Sequence, residues 1–282
     1  MKSVTKYSLS SFIRISAIML TALLIVSCGG EDEPSQPSDG SSSGKTDHGV
    51  NHKLLQIDYK DGYAGALETP FSNLTYDKEN RLTSFNTKFS RFYRYEYNRD
   101  NIEIIIGSTQ SNQKGLERSY PLKNGRIAGL CRYDSKNRLV AIESAPMSSG
   151  SATYNIEWTD GNITAITYTS DATGKITMSY KIHYSDIPCE SLMMCMGYLA
   201  DTRYILMSPY SILYHIDPVL VEEGYYGNSM VKNLWSKIEY TSNSGTVTHR
   251  FNWENLNNGL PGAVTTNWGT SGHERYYFTW AD

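Results

Sequence analysis

The sequence of 282 residues predicts an all-β protein, an antiparallel meander of many hairpins that forms an open or closed barrel. Three observations favour this fold class. Apolar and polar residues alternate with a period of two, clusters of Asp, Asn and Gly separate the alternating segments, and 22 Tyr accompany only 7 Phe. Tyrosine is enriched in strands and on surfaces that are half apolar and half hydrated.

The alternation is clearest in two segments, one in the middle of the chain and one near its C-terminus. In the first segment, one face carries Ile176, Met178, Tyr180, Ile182 and Tyr184. In the second segment, one face carries Val247, His249, Phe251 and Trp253. Strands with this pattern bury one face and expose the other. The number of such segments predicts roughly 14 to 16 strands.

A turn motif repeats along the chain. Tyr76–Leu82 (YDKENRL) recurs 57 residues later as Tyr133–Leu139 (YDSKNRL), and looser copies begin at Tyr97 and Trp158. Each copy places an aromatic residue at a strand end, then turn formers, then an aliphatic residue that opens the next strand. Each is therefore predicted to be a hairpin. The alternative, that these Asp and Asn residues bind calcium, lacks the carboxylate spacing of a calcium loop.

One apolar segment interrupts the meander. The stretch 187–221 carries Met193, Met194, Met196 and Met207, with Pro209 and Pro218 as breakers. It predicts a short, mostly helical insertion at about 187–235 that covers the apolar face of the sheet. The alternative is a Met-rich patch that is open to an apolar ligand.

The first 27 residues resemble a bacterial lipoprotein signal peptide. Lys2, Lys6 and Arg14 precede an apolar run of 12 residues, which is too short to span a bilayer as a helix. The run ends in Ile25–Cys28 (IVSC), which resembles a lipobox. It predicts cleavage before Cys28, a diacylglycerol thioether on its sulfur, and N-acylation (palmitate) of its amine. Such acylation anchors a protein stably. The alternative is an ordinary secretory signal with a chance cysteine.

The segment 28–50 is predicted to be a flexible tether, followed by a single domain over residues 51–282. Its Ser, Gly, Pro and acidic residues cannot bury a core. Gly29–Glu33 resembles the acidic surface-export tag of Bacteroidota lipoproteins, which predicts an outer-membrane protein that faces the cell exterior. Removing the signal removes three basic residues and no acidic residue, and leaves 23 basic and 29 acidic residues, a net charge of −6. An acidic chain of this kind is not expected to bind nucleic acid.

No catalytic motif, metal site or cofactor motif is recognised. His273 and Glu274 are adjacent, so a strand would direct them to opposite faces. We expect His183 on a solvated polar face and His249 in the core. Among the cysteines that follow the signal, Cys131, Cys189 and Cys195, the last two either close a small loop or stay as buried thiols.

The repeated hairpins, the apolar insertion, the segments Gly224–Ser229 (GYYGNS) and 232–240, and the aromatic strand that ends at Trp280 together resemble a known family. It is a Bacteroidota family of surface lipoproteins, with a domain of unknown function and a porin-like fold. The resemblance covers about residues 53–282. Trp235 stands where the family usually has a proline. The resemblance implies a meander barrel and supplies no catalytic residues.

Three functions are consistent with these features. The first is a non-catalytic surface protein, either structural or binding a glycan or another protein, with its membrane contact through Cys28. The second is a membrane pore, since alternation also suits a barrel with lipid outside and water inside. The third is an unrecognised hydrolase, whose carboxylates the sequence does not pair.

Overall fold

The computed structural model describes residues 53–61, 66–88, 90–110, 114–147, 150–191, 207–213, 216–255, 260–268 and 272–281. The predicted boundaries at residues 27 and 50 lie outside these ranges and stay predictions. Within them the chain forms 16 strands: β1 Leu54–Asp61, β2 Leu67–Tyr76, β3 Leu82–Thr87, β4 Arg91–Tyr97, β5 Asn101–Ser108, β6 Lys114–Lys123, β7 Arg126–Ile127, β8 Cys131–Tyr133, β9 Leu139–Met147, β10 Gly150–Thr159, β11 Asn162–Ser170, β12 Ile176–Pro188, β13 Asn233–Ser242, β14 Gly245–Asn255, β15 Pro261–Trp268 and β16 Gly272–Trp280.

All 16 strands belong to one sheet, and strands that are consecutive in the chain are neighbours in it. The sheet also joins its first and last strands, because β1 pairs antiparallel with β16, with Tyr59 opposite Tyr276. The order ends only between β7 and β8. The predicted all-β meander is confirmed, and it forms a nearly closed barrel with one interruption, which we call the seam.

The repeated motifs form the predicted hairpins. Asn80 and Asn137 occupy the same place in the two closest copies and have φ angles of 64° and 62°. Asparagine tolerates this left-handed conformation better than most residues. The hairpin between β6 and β7 has a two-residue turn, Asn124–Gly125, in which both φ angles are positive. That combination is the preferred turn for a tight hairpin.

The two faces of the sheet differ sharply in polarity. On β4, Tyr93 and Tyr95 are buried while Arg94 and Glu96 are exposed. Strand β14 repeats the pattern, with Phe251 and Trp253 buried and Arg250, Asn252 and Glu254 exposed. The buried residues of the strands form one hydrophobic cluster with buried residues of the insertion. The apolar face is therefore the inner face of the barrel, and the polar face is its outer wall.

A recurring aromatic hydrogen bond links strands in pairs. In the described residues, seven of the eight even-numbered strands carry near their end a Tyr or Trp that donates to a main-chain carbonyl of the preceding strand. We call these residues aromatic latches. The donor and acceptor pairs are Tyr76 to Leu54, Tyr97 to Leu82, Tyr133 to Ile127, Trp158 to Leu139, Tyr184 to Ile163, Trp253 to Trp235 and Trp280 to Pro261, at 2.6–3.0 Å.

The latches all lie at one end of the barrel, because even strands end there and odd strands begin there. We call it the latch end. The described chain also enters and leaves at this end, where the Ala281 N–H donates to the Lys53 carbonyl at 2.7 Å. The insertion between β12 and β13 starts and finishes there as well. The opposite end, the far end, carries the other set of hairpin connections.

The described part of the insertion has less helix than the sequence predicts. In its described part, α1 (Pro218–Glu222) is five residues long, and the neighbouring residues form turns. Proline at the first position of α1 has no N–H to lose there, and Asp217 caps the helix. The helix does not extend beyond Glu222, and a glycine with φ of 80°, Gly224, follows closely. The insertion is held by contacts with the barrel rather than by helical hydrogen bonds.

Replacing Tyr97 by Phe should lower the free energy of unfolding by about 1–2 kcal/mol, because the Leu82 carbonyl loses its donor while the ring stays in place. Urea denaturation measures the change. Tyr277→Phe is the matched control, since Tyr277 lies on the outer wall and is half-buried. Equal effects of the two substitutions would contradict a special role for the latch hydrogen bond.

Candidate functional site: the plugged interior and the seam

The two closest turn motifs share an Asp–Arg pair that stiffens the latch end. Asp77 accepts hydrogen bonds from the main-chain N–H and the Nε of Arg81, at 2.9 and 2.8 Å. Asp134 accepts the same two bonds from Arg138, at 2.8 and 2.9 Å. Burial opposes ionisation, yet these hydrogen bonds hold the pKa of Asp77 below its ordinary value. In both motifs the aspartate carboxylate is therefore hydrogen-bonded to an arginine of the same turn.

Each of these arginines lies against an aromatic latch of the following hairpin. The Arg81 guanidinium is 4.4 Å from the centre of the Tyr97 ring, and that of Arg138 is 5.4 Å from the Trp158 ring. Such cation–π contacts are worth about 0.5–1 kcal/mol where they are exposed and more where they are buried. The turn of one repeat thus fixes the latch of the next.

The described part of the insertion, residues 207–213 and 216–231, lies inside the barrel, and we call it the plug. Its Ile212 carbonyl accepts a hydrogen bond from the Tyr168 hydroxyl of β11. Its Asp217 Oδ2 accepts one from the Tyr95 hydroxyl of β4 at 3.3 Å. Strands β4 and β11 stand nine places apart in the sheet order, on opposite walls. A segment that contacts both walls must cross the interior.

Asp217 is the buried carboxylate of the plug, with 1% of its surface exposed. Its Oδ1 accepts the Val219 N–H at 2.9 Å, so it caps α1 while Oδ2 contacts Tyr95. Burial raises the pKa of Asp217 to about 6, against the lowering effect of these hydrogen bonds and of Arg118. Its oxygens are used to hold the plug against β4, which is a structural role.

The plug also seals the latch end of the seam. The Ile127 N–H of β7 donates to the Tyr225 carbonyl at 2.7 Å. On the other side, the Asn228 N–H donates to the Asn137 carbonyl at 2.8 Å. The Ser229 hydroxyl accepts the Leu139 N–H at 2.7 Å. Segment 225–229 therefore joins β7 to the turn that follows β8 and to the start of β9, across the seam.

Gly227 is essential to this joint. Its φ is 67°, and a Cβ there would stand 2.2 Å from the Asn137 carbonyl oxygen, which is main chain and cannot move aside. Gly227 also forms an isolated bridge with Arg138. The second glycine of the GYYGNS segment, Gly227, is thus required by the close approach of the plug to the second turn motif.

The three histidines among the described residues lie where the sequence predicts. His249 is buried with 5% of its surface exposed, and burial lowers its pKa. His183 is half-buried on the outer wall, with its Nε2 3.4 Å from Glu239. His273 is exposed and contacts Asn267, whereas Glu274 contacts the inward Tyr276 hydroxyl at 3.4 Å, so the adjacent pair does diverge.

Cys28, the predicted site of lipid attachment, lies outside the described residues and stays a prediction; Cys195, Met193, Met194 and Met196 also lie outside them. Cys131 is half-buried on β8, and Cys189 is buried. The pairing of Cys189 with Cys195 therefore stays open.

Many of the interior tyrosines either pack against other tyrosine rings or act as latches. Rings of Tyr154, Tyr168, Tyr180 and Tyr240 form a row across β10–β13, with centres 4.3–5.7 Å apart. Among the described residues, no group of three or more His, Cys, Asp or Glu side chains is placed to hold a metal ion. No helix in the described ranges is long and apolar enough to cross a membrane.

The solved structures that are similar to this chain include two porin-like proteins, both at low sequence identity. A porin-like protein from Bacteroides uniformis shares 14% identity at a TM-score of 0.39, covering 81% of this chain and 98% of that one. A porin-like protein from Bacteroides vulgatus shares 10% identity at a TM-score of 0.39, covering 81% and 99%. No family model and no curated protein matches the sequence.

Local sequence patterns do not reveal the role of the residues that hold the plug. A local signal exists for Asp217, because an Asp before Pro218 has the form of a helix cap followed by proline at the first helical position. For Gly227 the signal is weaker, since a turn glycine does not indicate what approaches it. The contacts with Asn137 and Tyr95 join residues about 90 and 122 positions apart.

Replacing Gly227 by Ala should destabilise the protein by several kcal/mol, because the new Cβ combines a backbone clash with an unfavourable φ. The matched control is Gly174→Ala, whose φ of 63° is similar but whose Cβ would meet nothing within 4 Å. The control should lose only about 1 kcal/mol. Thermal and urea unfolding measure both. Similar losses in the two variants would contradict the close approach at the seam.

Asp217 should make stability depend on pH in a defined direction. Its pKa is raised in the folded protein. Between about pH 4 and 6, Asp217 is therefore protonated in the native state and ionised in the unfolded state. The contribution of Asp217 to stability is therefore fully present below about pH 4 and is lost as the pH rises through 6. Relative to Asp217→Asn, which keeps the cap, the wild type should lose about 3 kcal/mol between pH 4 and 7. Parallel unfolding curves for the two proteins across this range would contradict the prediction.

Proposed function

We propose that the protein is a lipid-anchored, non-catalytic binding module, attached to the outer membrane through Cys28 and displayed on the cell surface. The observation that carries the proposal is the polarity of the barrel wall. Outward residues such as Arg94, Arg250 and Glu254 are charged and exposed, and the apolar residues face inward. A barrel in a bilayer has the opposite arrangement, with an apolar band outside.

The plug supports the same proposal. It crosses the interior from β11 to β4 and joins the strands at the seam, so the interior at the latch end is filled with packed side chains. A filled barrel with a polar wall is a rigid scaffold. Such scaffolds usually present function on loops and edges.

The position of the termini suggests how the scaffold would be displayed. Residue 53 lies at the latch end, and the tether 28–50 precedes it. The latch end is therefore the end to which the tether attaches, and the far end is the more distant end. The far-end connections, such as 171–175 and 243–244, are then the parts of the barrel farthest from the attachment point of the tether.

The membrane pore is the second candidate, and the observation that favours it is the barrel of 16 strands itself. It requires the charged wall residues to contact lipid, where each Arg or Lys at the bilayer centre costs about 2–4 kcal/mol. For the hydrolase, the fully buried carboxylate among the described residues, Asp217, caps a helix, so it does not favour that candidate. A glycan partner that stacks on exposed rings is weakened by the use of many Tyr and Trp residues as latches.

Cutting the tether separates the two candidates. A protease site is inserted within residues 31–49, and intact cells are treated with the protease. We expect the domain to appear in the medium, because only the tether holds it. A domain that stays in the washed membranes after complete cleavage would support the pore. A domain released only after the cells are broken would overturn the display on the surface.

The Cys28→Ala variant tests the anchor directly. We expect it to lose incorporation of labelled palmitate, retention in the membrane and surface labelling on intact cells. Cys131→Ala is the matched control, since it removes a cysteine elsewhere and should retain all three. Unchanged membrane retention of Cys28→Ala would refute the anchor.

A further inference from the structure

The seam is only partly closed, because its two edge strands are short. Strand β7 covers two of the ten residues of β6, and strand β8 has three residues. The connection 128–130 then fastens to both sides: the Ala128 N–H donates to the Pro121 carbonyl at 2.9 Å, and the Glu143 N–H to the Leu130 carbonyl at 2.8 Å. Beyond it, toward the far end, neither β6 nor β9 pairs with a further strand among the described residues.

We call this opening the seam notch; it is bounded by residues 117–119 of β6, 128–130 and 143–145 of β9. The main chain of β6 is directed into it. Lys123 pairs with Arg126 of β7, and the Pro121 carbonyl accepts from the same side. Main-chain groups alternate in direction along a strand. The N–H and C=O of Ser119 and Glu117 therefore also face the seam, whereas the residues between them bond to β5.

The other edge of the notch is less suited to pairing. Ser144 of β9 has a φ of 48°, which breaks the regular strand there. Pro146 has no N–H to donate. Irregularities and prolines of this kind protect natural edge strands from unwanted pairing. The structure thus blunts the β9 edge and leaves the β6 edge regular from residue 117 to 119.

Two side chains define the chemistry around the β6 edge. Arg118 is exposed and lies opposite Ile104, whose side chain is buried, so Arg118 belongs to the inner face at the notch. Leu130, at the other boundary, has 48% of its surface exposed. A row of main-chain groups flanked by a cation and an exposed leucine matches an extended peptide with an acidic residue and an apolar residue.

We infer that the seam notch accepts an extended segment of a partner protein, which adds to β6 as a further strand. Main-chain bonds to Glu117 and Ser119 supply the affinity, Arg118 selects an acidic residue, and Leu130 packs against an apolar one. The inference deepens the proposed function by naming the partner class, and it rests on that function for its biological role. Its test is made on the purified full chain, so it does not depend on anchoring or surface display.

The test uses a displayed library of random dodecapeptides, selected on the full chain in mild detergent. Enriched peptides, made synthetically, are then measured against two variants of one residue. Ser119→Pro removes the N–H that faces the notch, while Ser119→Ala keeps it. We expect Ser119→Ala to bind like the wild type and Ser119→Pro to bind about tenfold or more weakly. Arg118→Gln should weaken the binding of acidic peptides severalfold.

Amide hydrogen exchange locates the binding independently of any variant. We expect bound peptide to protect the amides of Glu117 and Ser119, and N-methylation at alternate peptide residues to abolish binding even if Ser119→Pro folds poorly. Equal affinity for Ser119→Pro and Ser119→Ala, protection confined to the far-end connections, or tolerance of N-methylation would overturn the inference. A dimer of the chain that forms through Ser119 and excludes the peptide would also overturn it, by assigning the edge to a second copy.

Discussion

The size of the barrel is the constraint on which the rest of the structure depends. A closed sheet of about eight strands is just wide enough for its own side chains to fill, and wider barrels enclose space. This barrel has 16 strands and an apolar inner face, so that space has to be occupied by protein. Large aromatic side chains reduce the volume, and the plug occupies the remainder at the latch end. The surplus of tyrosine and the apolar insertion both serve to fill the interior of the barrel.

Filling the interior with a plug requires the particular contacts that Asp217, Gly227 and two tyrosine hydroxyls make. A plug that crosses the barrel brings polar main-chain groups into an apolar interior, where each needs a partner. The Tyr95 and Tyr168 hydroxyls meet the plug at opposite walls, and Asp217 satisfies the start of α1. The cost is a buried carboxylate whose pKa is raised. The plug also replaces a missing strand contact at the seam, and Gly227 is the residue that permits this.

Much of the fold was predictable because its signals are local. The alternation around Tyr180, the turn motifs at Asp77 and Asp134, and the surplus of Tyr each depend on residues within one hairpin. The sheet order added one pairing that no local pattern contains, that of β1 with β16. In the described part of the insertion, turns take the place of much of the predicted helix, because apolar composition indicates burial but does not distinguish a helix from packed turns.

The candidate site was predictable only in part. His249 in the core and the divergence of His273 and Glu274 follow from the period of two along one strand. The latches were visible only as aromatic residues at strand ends, since their acceptors lie on another strand. Asp217 and Gly227 acquire their roles from partners far away in the chain, and no spacing rule reports such partners.

The sequence by itself determined the class of the fold, the hairpins and the alternation of the wall, because each is set by neighbours within a few residues. It also carries the predicted signal, Cys28 and the tether. The tertiary structure alone decided that the sheet closes through β1 and β16, that its apolar face is the inside, and that the described strands leave the seam open beyond the connection 128–130. Those outcomes depend on which distant strands meet and on how much space they enclose, and both are properties of the assembled barrel.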